Sequence, residues 1–191
     1  RDNLFEGNIA SEWAAGGIVG SASVGVNATG SAGTSVERCA VRRADIAGRG
    51  PVGGIVGELY SYGLARSSVV DSYALATVHN DSISNDYTNL GGIAGLPYGA
   101  QIQRVIFSGP VIGGEFVGGI TGMPFLDSSI DAAIYNRDLF SSQNGEGFAA
   151  TESSMRHDSE LYSAFDLNQT WSFAVGAFPE LRSIRMLRVD I

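Results

Sequence analysis

The fold is decided by a five-residue box, Gly16-Gly17-Ile18-Val19-Gly20, which returns three times along the chain. The later copies are Gly53-Gly54-Ile55-Val56-Gly57, Gly91-Gly92-Ile93-Ala94-Gly95 and Gly118-Gly119-Ile120-Thr121-Gly122. Four copies within 107 residues are hard to obtain by chance, even in a glycine-rich chain. Repetition at such intervals is typical of architectures in which similar units stack on one another.

Further positions align once the boxes are superimposed. A β-branched residue stands nine places before the central isoleucine in three copies, at Ile9, Ile46 and Val111. In the third copy Val78 stands fifteen places before Ile93, and the six extra residues fall in the polar stretch 79–89, which is typical of a loop. Three more columns lie upstream: Val36-Val69-Ile102-Ile130, Cys39-Ser72-Val105-Ala133 and Ala40-Tyr73-Ile106-Ile134.

These columns predict the fold class. Each unit has three short segments rich in Val and Ile, bounded by Gly, Ser and Asn, which read as strands. We expect an all-β protein, a parallel β-helix or β-solenoid of about four coils over residues 1–135, with stacked strands roughly 4.8 Å apart. A glycine-rich β-sandwich with accidental repetition is the alternative, and the coincident columns argue against it.

The repeats stop before residue 136, and residues 136–191 are predicted to be a C-terminal cap with a short helix. Thr151 is the expected N-cap, and Met155, Tyr162 and Phe165 are expected to share one helix face. The segment Trp171–Val175 is a plausible strand. The aromatic residues expected to close the open end of the core are Trp171, Phe173 and Phe178.

Composition restricts the partners. The chain has 26 glycines without a Gly-X-Y period, a net charge of -8 and a single cysteine, Cys39. The negative charge opposes binding to nucleic acid and to anionic membranes, and the apolar runs are too short for membrane insertion. The chain opens on Arg1-Asp2-Asn3, in the middle of a repeat and without a signal peptide. We therefore expect a longer protein with flanking domains.

Several runs match a repeat pattern known from other proteins. They are Val105-Ile106-Phe107-Ser108-Gly109-Pro110-Val111-Ile112-Gly113, Val117-Gly118-Gly119-Ile120-Thr121-Gly122, Gly7-Asn8-Ile9 and Ser72-Tyr73-Ala74, with Met155, Trp171 and Phe178-Pro179-Glu180-Leu181 in the tail. Together these runs resemble the GLUG motif family. Such repeats are known mostly in large bacterial extracellular proteins, including haemagglutinin-like adhesins and IgA-directed metallopeptidases, where they lie outside the catalytic domain. The resemblance implies a bacterial cell-surface or secreted scaffold and transfers no catalytic residue.

The sequence offers little catalytic chemistry. The two histidines, His79 and His157, stand in different regions and in no HExxH or CxxC pattern, so no zinc site is predicted. No nucleophile elbow or phosphate-binding loop is present. We predict no catalytic, metal or cofactor-binding residues and no cofactor.

Paired carboxylates are the best enzymatic suggestion. Asp127 with Asp131, or Asp81 with Asp86, would suit acid–base chemistry or calcium, but the column Glu37-Val70-Gln103-Asp131 holds no adjacent acids. A glycan-active β-helix enzyme, a polysaccharide lyase or hydrolase, is therefore the alternative function. Ice binding would need a threonine rank, whereas the position after the box isoleucine reads Val19-Val56-Ala94-Thr121.

The favoured function is a non-catalytic extracellular scaffold or adhesion module that binds a glycan or a host or cell-surface protein. Its expected contact surface is formed by the variable connections 21–34, 58–67 and 79–89. Two structural expectations test the register. Cys39 should be buried in its column, and Asp71 should lie between Arg38 and Arg104 on an exposed face.

Overall fold

The computed structural model describes residues 1–24, 33–62, 66–81, 88–125, 127–140, 144 and 146–186. Within them the protein is mostly β, and most of its strands form parallel sheets. The strands are β1 Leu4–Ser11, β2 Ala15–Gly16, β3 Val19–Val24, β4 Ser35–Glu37, β5 Ala40–Gly48, β6 Val52–Gly53, β7 Val56–Ser61, β8 Ser68–Asn80, β9 Asn89–Gly91, β10 Ala94–Tyr98, β11 Gln101–Phe107, β12 Val111–Ile112, β13 Phe116–Gly118, β14 Ser129–Asn136, β15 Phe148–Ala150, β16 Trp171–Ser172 and β17 Glu180–Leu181. Among the residues that the structure describes near the C-terminus are two short helices, α1 Glu152–His157 and α2 Arg182–Met186, and a 3₁₀ turn, Ser159–Tyr162.

The described part of the chain visits three parallel sheets in a fixed order. The first sheet has the order β1-β5-β8-β11-β14-β15, with β4 and β12 also paired to β8. The second sheet has the order β2-β6-β9-β13, and the third has β3-β7-β10. We call one passage through the three sheets a unit: unit 1 is β1–β3, unit 2 is β4–β7, unit 3 is β8–β10, and unit 4 begins at β11. Each unit therefore lies beside the next one along the chain.

The strand register confirms the columns read from the sequence. The first box glycines pair as Gly16 with Gly53, Gly53 with Gly91 and Gly91 with Gly118. Val78 pairs with both Ile46 and Val111, so the six extra residues of unit 3 do not disturb its place in the ladder. The upstream columns are also in register.

An apolar core fills the space between the sheets. Its members come from the aligned columns and include Val36, Ile46, Ile55 and Ile93. Cys39 is a free thiol with 1% of its surface exposed, and its backbone N–H donates a hydrogen bond to the Ser72 hydroxyl oxygen at 3.1 Å. The expectation that Cys39 is a buried core residue is confirmed.

The C-terminal segment packs against the side of the first sheet. Thr151 is the N-cap of α1, as expected, and accepts a hydrogen bond from the Ser154 nitrogen at 3.1 Å. The helix ends at His157 and not near Phe165, because Asp158 caps the 3₁₀ turn that follows. Residues of α1, of the 3₁₀ turn and the segment after it, and of β16, β17 and α2 form a second apolar cluster: Met155, Tyr162, Phe165, Trp171, Leu181 and Ile184.

This cluster covers an apolar column, Ala40-Tyr73-Ile106-Ile134, on the outer face of the first sheet. We expected Trp171, Phe173 and Phe178 to close the open end of the core. They instead contribute to a cluster on the outer face of the first sheet, because the apolar side chains of the outer column have to be shielded from water. Phe173 and Phe178 lie at the border of the same lateral cluster. Strand β14 crosses the proposed boundary between 1–135 and 136–191, and that boundary stays a prediction.

A residue with left-handed backbone conformation recurs at the same column position in successive units, within or next to the first sheet. Backbone φ lies between 47° and 56° at Asp2, Arg38, Asp71 and Arg104, a conformation that costs non-glycine residues about 1 kcal/mol or more. Asp71 accepts from Arg104 Nε at 2.8 Å and Nη2 at 3.0 Å. The Arg38 guanidinium instead donates to Asp2 at 2.7 and 2.8 Å, and this hydrogen bond lowers the pKa of the Asp2 carboxyl.

The expectation for Asp71 is thus correct in register but wrong in two details. Arg104 pairs with Asp71, whereas Arg38 is drawn to the aspartate of unit 1. The face is also not open, because the indole Nε1 of Trp171 donates to Asp71 at 3.0 Å and leaves its side chain only 17% exposed.

Candidate ligand-binding surface

Two of the three predicted contact stretches leave the protein at one corner. Tyr62 donates its backbone N–H to the Val24 carbonyl oxygen at 3.2 Å, which places the ends of β3 and β7 side by side. The middles of these stretches, 25–32 and 63–65, lie outside the described residues. The shared corner expected for 21–34 and 58–67 is confirmed where the chain is described.

The third stretch, 79–89, is only partly a loop. His79 and Asn80 still belong to β8, and Asn89 begins β9. Thr88 is fully buried. The expectation of a loop over the whole of 79–89 is therefore wrong at both ends, where the residues pair in the parallel ladders. Residues 82–87, including Asp86 of the suggested carboxylate pair, lie outside the described residues.

Aromatic side chains form a row on the outer face of the third sheet, next to the shared corner. Alternation along β7 buries Leu59 and turns Tyr60 outward. Tyr60 pairs in register with Tyr98, and Tyr98 forms a bridge with Phe125. We call these three residues, together with the adjacent Tyr62, the aromatic ladder.

The rings of the aromatic ladder make one continuous surface. Ring centroids are 5.5 Å apart between Tyr60 and Tyr98 and 6.4 Å apart between Tyr98 and Phe125, with interplanar angles of 35° and 31°. The Tyr62 ring centroid lies 6.0 Å from that of Tyr60, with an interplanar angle of 11°, and 5.1 Å from that of Tyr98. Tyr62 and Phe125 are 37% and 38% exposed. A strip of this kind offers a ligand several ring faces at regular steps.

Polar groups border the ladder. Glu58 is 8% exposed, and its Oε2 accepts a hydrogen bond from the Ser21 hydroxyl of unit 1 at 3.0 Å. Burial, the charge of Glu58 and the neighbouring tyrosines raise the pKa of Tyr60. The Tyr60 phenol therefore stays protonated at neutral pH and can donate a hydrogen bond. The site combines apolar ring faces with neutral hydroxyls and one carboxylate.

The sequence carries a signal for this ladder that is a periodic column and not a catalytic motif. Tyr60, Tyr98 and Phe125 each stand five residues after the central isoleucine of their box. Unit 1 has Ser23 at this place, and Ser23 pairs with Tyr60. An outward column of aromatic residues at fixed spacing is visible without coordinates, provided the boxes are aligned first.

A groove of about 510 Å³ separates the outer face of the first sheet from the C-terminal segment. We call it the lateral groove; the charged and aromatic residues along it are Arg43, Asp45, Glu152, Arg156 and Phe178. Arg156 bonds Glu152 at 2.8 Å, and its guanidinium lies 4.2 Å from the centroid of Phe178. Asp45 Oδ1 lies 2.9 Å from Nε2 of His79. Both carboxylates in the groove thus already have partners.

The other suggested acids are not assembled into a pair. Asp131 lies in β14 opposite Gln103, along a second groove of about 700 Å³ that Asp158 and Glu160 also line. Asp127 lies outside that lining, at the corner before β14, where its carbonyl oxygen accepts from Arg66. Asp81 is exposed at the end of β8. The column that contains Glu37 and Asp131 has the predicted register, with Val70 and Gln103 between them.

The described residues can be examined for a metal site and for a membrane-spanning helix. His157 is exposed, and its Nδ1 lies 2.9 Å from the Ser153 carbonyl oxygen. Within the described ranges, no three His, Cys, Asp or Glu side chains come together as a metal site would require. In the same part of the chain, no helix has the length and apolar character needed to cross a lipid bilayer.

Comparison of the chain with protein-family models, with curated proteins and with solved structures finds no significant match.

Proposed function

We propose that this chain is a β-solenoid of GLUG-like repeats that serves as a non-catalytic scaffold or adhesion module of a larger bacterial surface or secreted protein. The observation that carries the proposal is the in-register pairing of the first glycines of the four boxes along the second parallel sheet. In a stacked architecture each unit contacts mainly its neighbours, which gives an extended and rigid surface. Such a surface suits presentation of a contact site better than enclosure of a substrate.

The aromatic ladder is the contact site that we assign to this module. It adjoins the corner from which the variable connections leave, and loops on a rigid scaffold commonly carry binding residues. Its partner is a glycan or a protein of a host or cell surface. The net charge of -8 disfavours nucleic acid, because phosphate would be repelled.

Adhesion of protein-coated beads tests the proposal. Beads carrying the purified chain should be retained on cultured cells or on immobilised glycans, and the Tyr60→Ala/Tyr98→Ala double variant should be retained less. Beads coated with the Trp13→Ala variant control for loss of an exposed aromatic residue, since Trp13 is 63% exposed at the corner between β1 and β2. Retention no better than on uncoated beads would reject the adhesion role. Equal retention of all three bead types would reject the aromatic ladder as its contact site.

A glycan-active enzyme is the second candidate, and the lateral groove is the observation that favours it. Asp45, Glu152 and the aromatic Phe178 all line the groove, and glycoside hydrolysis uses two carboxylates across the scissile bond. Turnover of neutral and acidic polysaccharides would be followed by release of reducing ends. Activity that Asp45→Asn and Glu152→Gln each abolish would establish the enzyme; no turnover by the folded wild-type chain would exclude it for the tested substrates.

A further inference from the structure

We infer that the aromatic ladder binds an uncharged oligosaccharide chain that runs across the strands of the third sheet, from unit to unit. This inference rests on the proposed function, since it names the ligand of the same contact site. It selects a saccharide over a protein partner. The argument follows from the shape of the ladder, its polar border and its charge.

The rungs of the ladder match a ligand with repeated faces. Tyr60, Tyr98 and Phe125 come from three successive units, so their spacing is set by the strand ladder. A pyranose ring presents a face of C–H groups with partial positive charge, and an aromatic face carries negative charge from its quadrupole. A polymer of like sugars can therefore place successive rings on successive rungs.

The border of the ladder supplies hydrogen bonds of the kind that sugar hydroxyls need. Tyrosine phenols both donate and accept, and three of the four rings are tyrosines, Tyr60, Tyr62 and Tyr98. The Glu58 carboxylate, which accepts from the Ser21 hydroxyl, lies beside Tyr60, and Ser21 and Ser23 are exposed on the neighbouring strand. Binding sites of this type combine apolar contact with a few polar groups that fix orientation.

Charge and size point to a neutral sugar chain. Glu58 lies within the site, and the whole chain has a net charge of -8, so a polymer of acidic sugars would be repelled. The apolar part of the site is a strip one ring wide beside Tyr62. Stable protein–protein interfaces need roughly 800 Å² from each partner with an apolar centre, which a strip of four rings does not provide.

Isothermal titration calorimetry of the whole chain with neutral hexasaccharides tests the inference. The probes are β-1,4-linked hexamers of glucose, mannose and N-acetylglucosamine, with oligogalacturonate as the acidic comparison. At least one neutral hexamer should bind, and oligogalacturonate should not. Tyr98→Ala, which removes the central ring, should weaken binding about tenfold or more, while Tyr98→Phe keeps the ring and should retain most of the affinity.

Tyr62→Ala is the second variant, because Tyr62 lies after the end of β7 and its loss leaves the strand register intact. It should also weaken binding, and Trp13→Ala should bind like the wild type. Circular dichroism and melting temperature verify that each variant is folded. Absence of binding to every neutral hexamer, or binding that Tyr98→Ala and Tyr62→Ala leave unchanged, would overturn the inference.

Treatment of the cell surface separates this inference from the proposed function. If bead retention is lost after periodate oxidation of cell-surface sugars and survives protease, the saccharide assignment is supported. If retention is lost after protease and survives periodate, the ligand is a protein and the saccharide assignment falls, while the adhesion role stands. Absence of retention on untreated cells and immobilised glycans rejects the adhesion role itself.

Discussion

Replacing Gly57 with alanine tests the stacked architecture at one methyl group. Gly57 ends the second box and lies against unit 1. A Cβ there would overlap the carbonyl oxygen of Gly20 and lie 2.8 Å from the carbonyl oxygen of Ala15, whereas ordinary van der Waals contact begins at 3.4 Å. Both obstacles are backbone atoms, so units 1 and 2 would have to move apart.

The matched control is Gly20→Ala, the same position of the box in unit 1. Its added Cβ would meet the Ala14 carbonyl oxygen at 3.2 Å, and no second atom lies within 4 Å among the described residues. Overpacking costs about 1–3 kcal/mol, and alanine offsets about 0.4–1 kcal/mol of that by stiffening the unfolded chain. We expect Gly57→Ala to lose about 2 kcal/mol and Gly20→Ala to change stability by less than about 1 kcal/mol.

Thermal unfolding followed by circular dichroism measures the difference. For a chain of this size, 1 kcal/mol corresponds to about 2–4 °C in melting temperature, so Gly57→Ala should melt about 4–8 °C lower than the wild type. Gly20→Ala should melt within about 4 °C of it. Equal melting temperatures for the two variants would refute the close approach of neighbouring units at the boxes.

Three further outcomes follow from buried polar groups. Asp71→Ala should lower the free energy of unfolding in urea by about 2–3 kcal/mol, because it leaves the Arg104 guanidinium and the Trp171 indole N–H without their shared acceptor. Asp2 is more exposed, and Asp2→Ala should cost less than about 1 kcal/mol. Saccharide binding by Asp71→Ala should be unchanged, and loss of binding in the folded variant would place the contact site on the face that holds Asp71. Cys39 should resist maleimide in the native chain and react after denaturation, and rapid native labelling would contradict its burial. Tyr162→Phe should lower the free energy of unfolding by about 1–2 kcal/mol. Burial raises the pKa of Tyr162 above its usual 10.0, so the stability contributed by its neutral phenol is present below pH 10 and declines as the pH rises further. An alkaline unfolding profile that is the same in Tyr162→Phe as in the wild type would count against this.

Alignment of the boxes was enough to predict the register of the parallel strands, even past the insertion after Val78. Side chains that stack in a common core have to be similar in size and polarity, so core positions recur in the sequence as columns of similar residues. The same reasoning explains why the burial of Cys39 was predictable from Ser72, Val105 and Ala133.

The position of the C-terminal segment was not predicted, because aromatic residues in a sequence indicate a buried cluster but not the surface against which it packs. A signal existed in β8, where Tyr73, Ala74, Leu75 and Ala76 run together instead of alternating with polar residues. Such a run is typical of a strand buried on both faces, and Tyr73 indeed lies under Trp171. The sequence did not predict the partner of Arg38, since Asp2 and Asp71 are both neighbours and the side-chain geometry decides which of them the guanidinium reaches.

The ion pairs at the left-handed positions distinguish units whose backbones are nearly interchangeable. Aspartate and arginine alternate from one unit to the next at Asp2, Arg38, Asp71 and Arg104. If unit 2 stacked on unit 4 and left unit 3 out, Arg38 would face Arg104. The like charges would repel each other in a site that Trp171 shields from water. The column therefore works as an ordering code: during folding it penalises the omission of a unit, an error to which a chain of similar repeats is otherwise open.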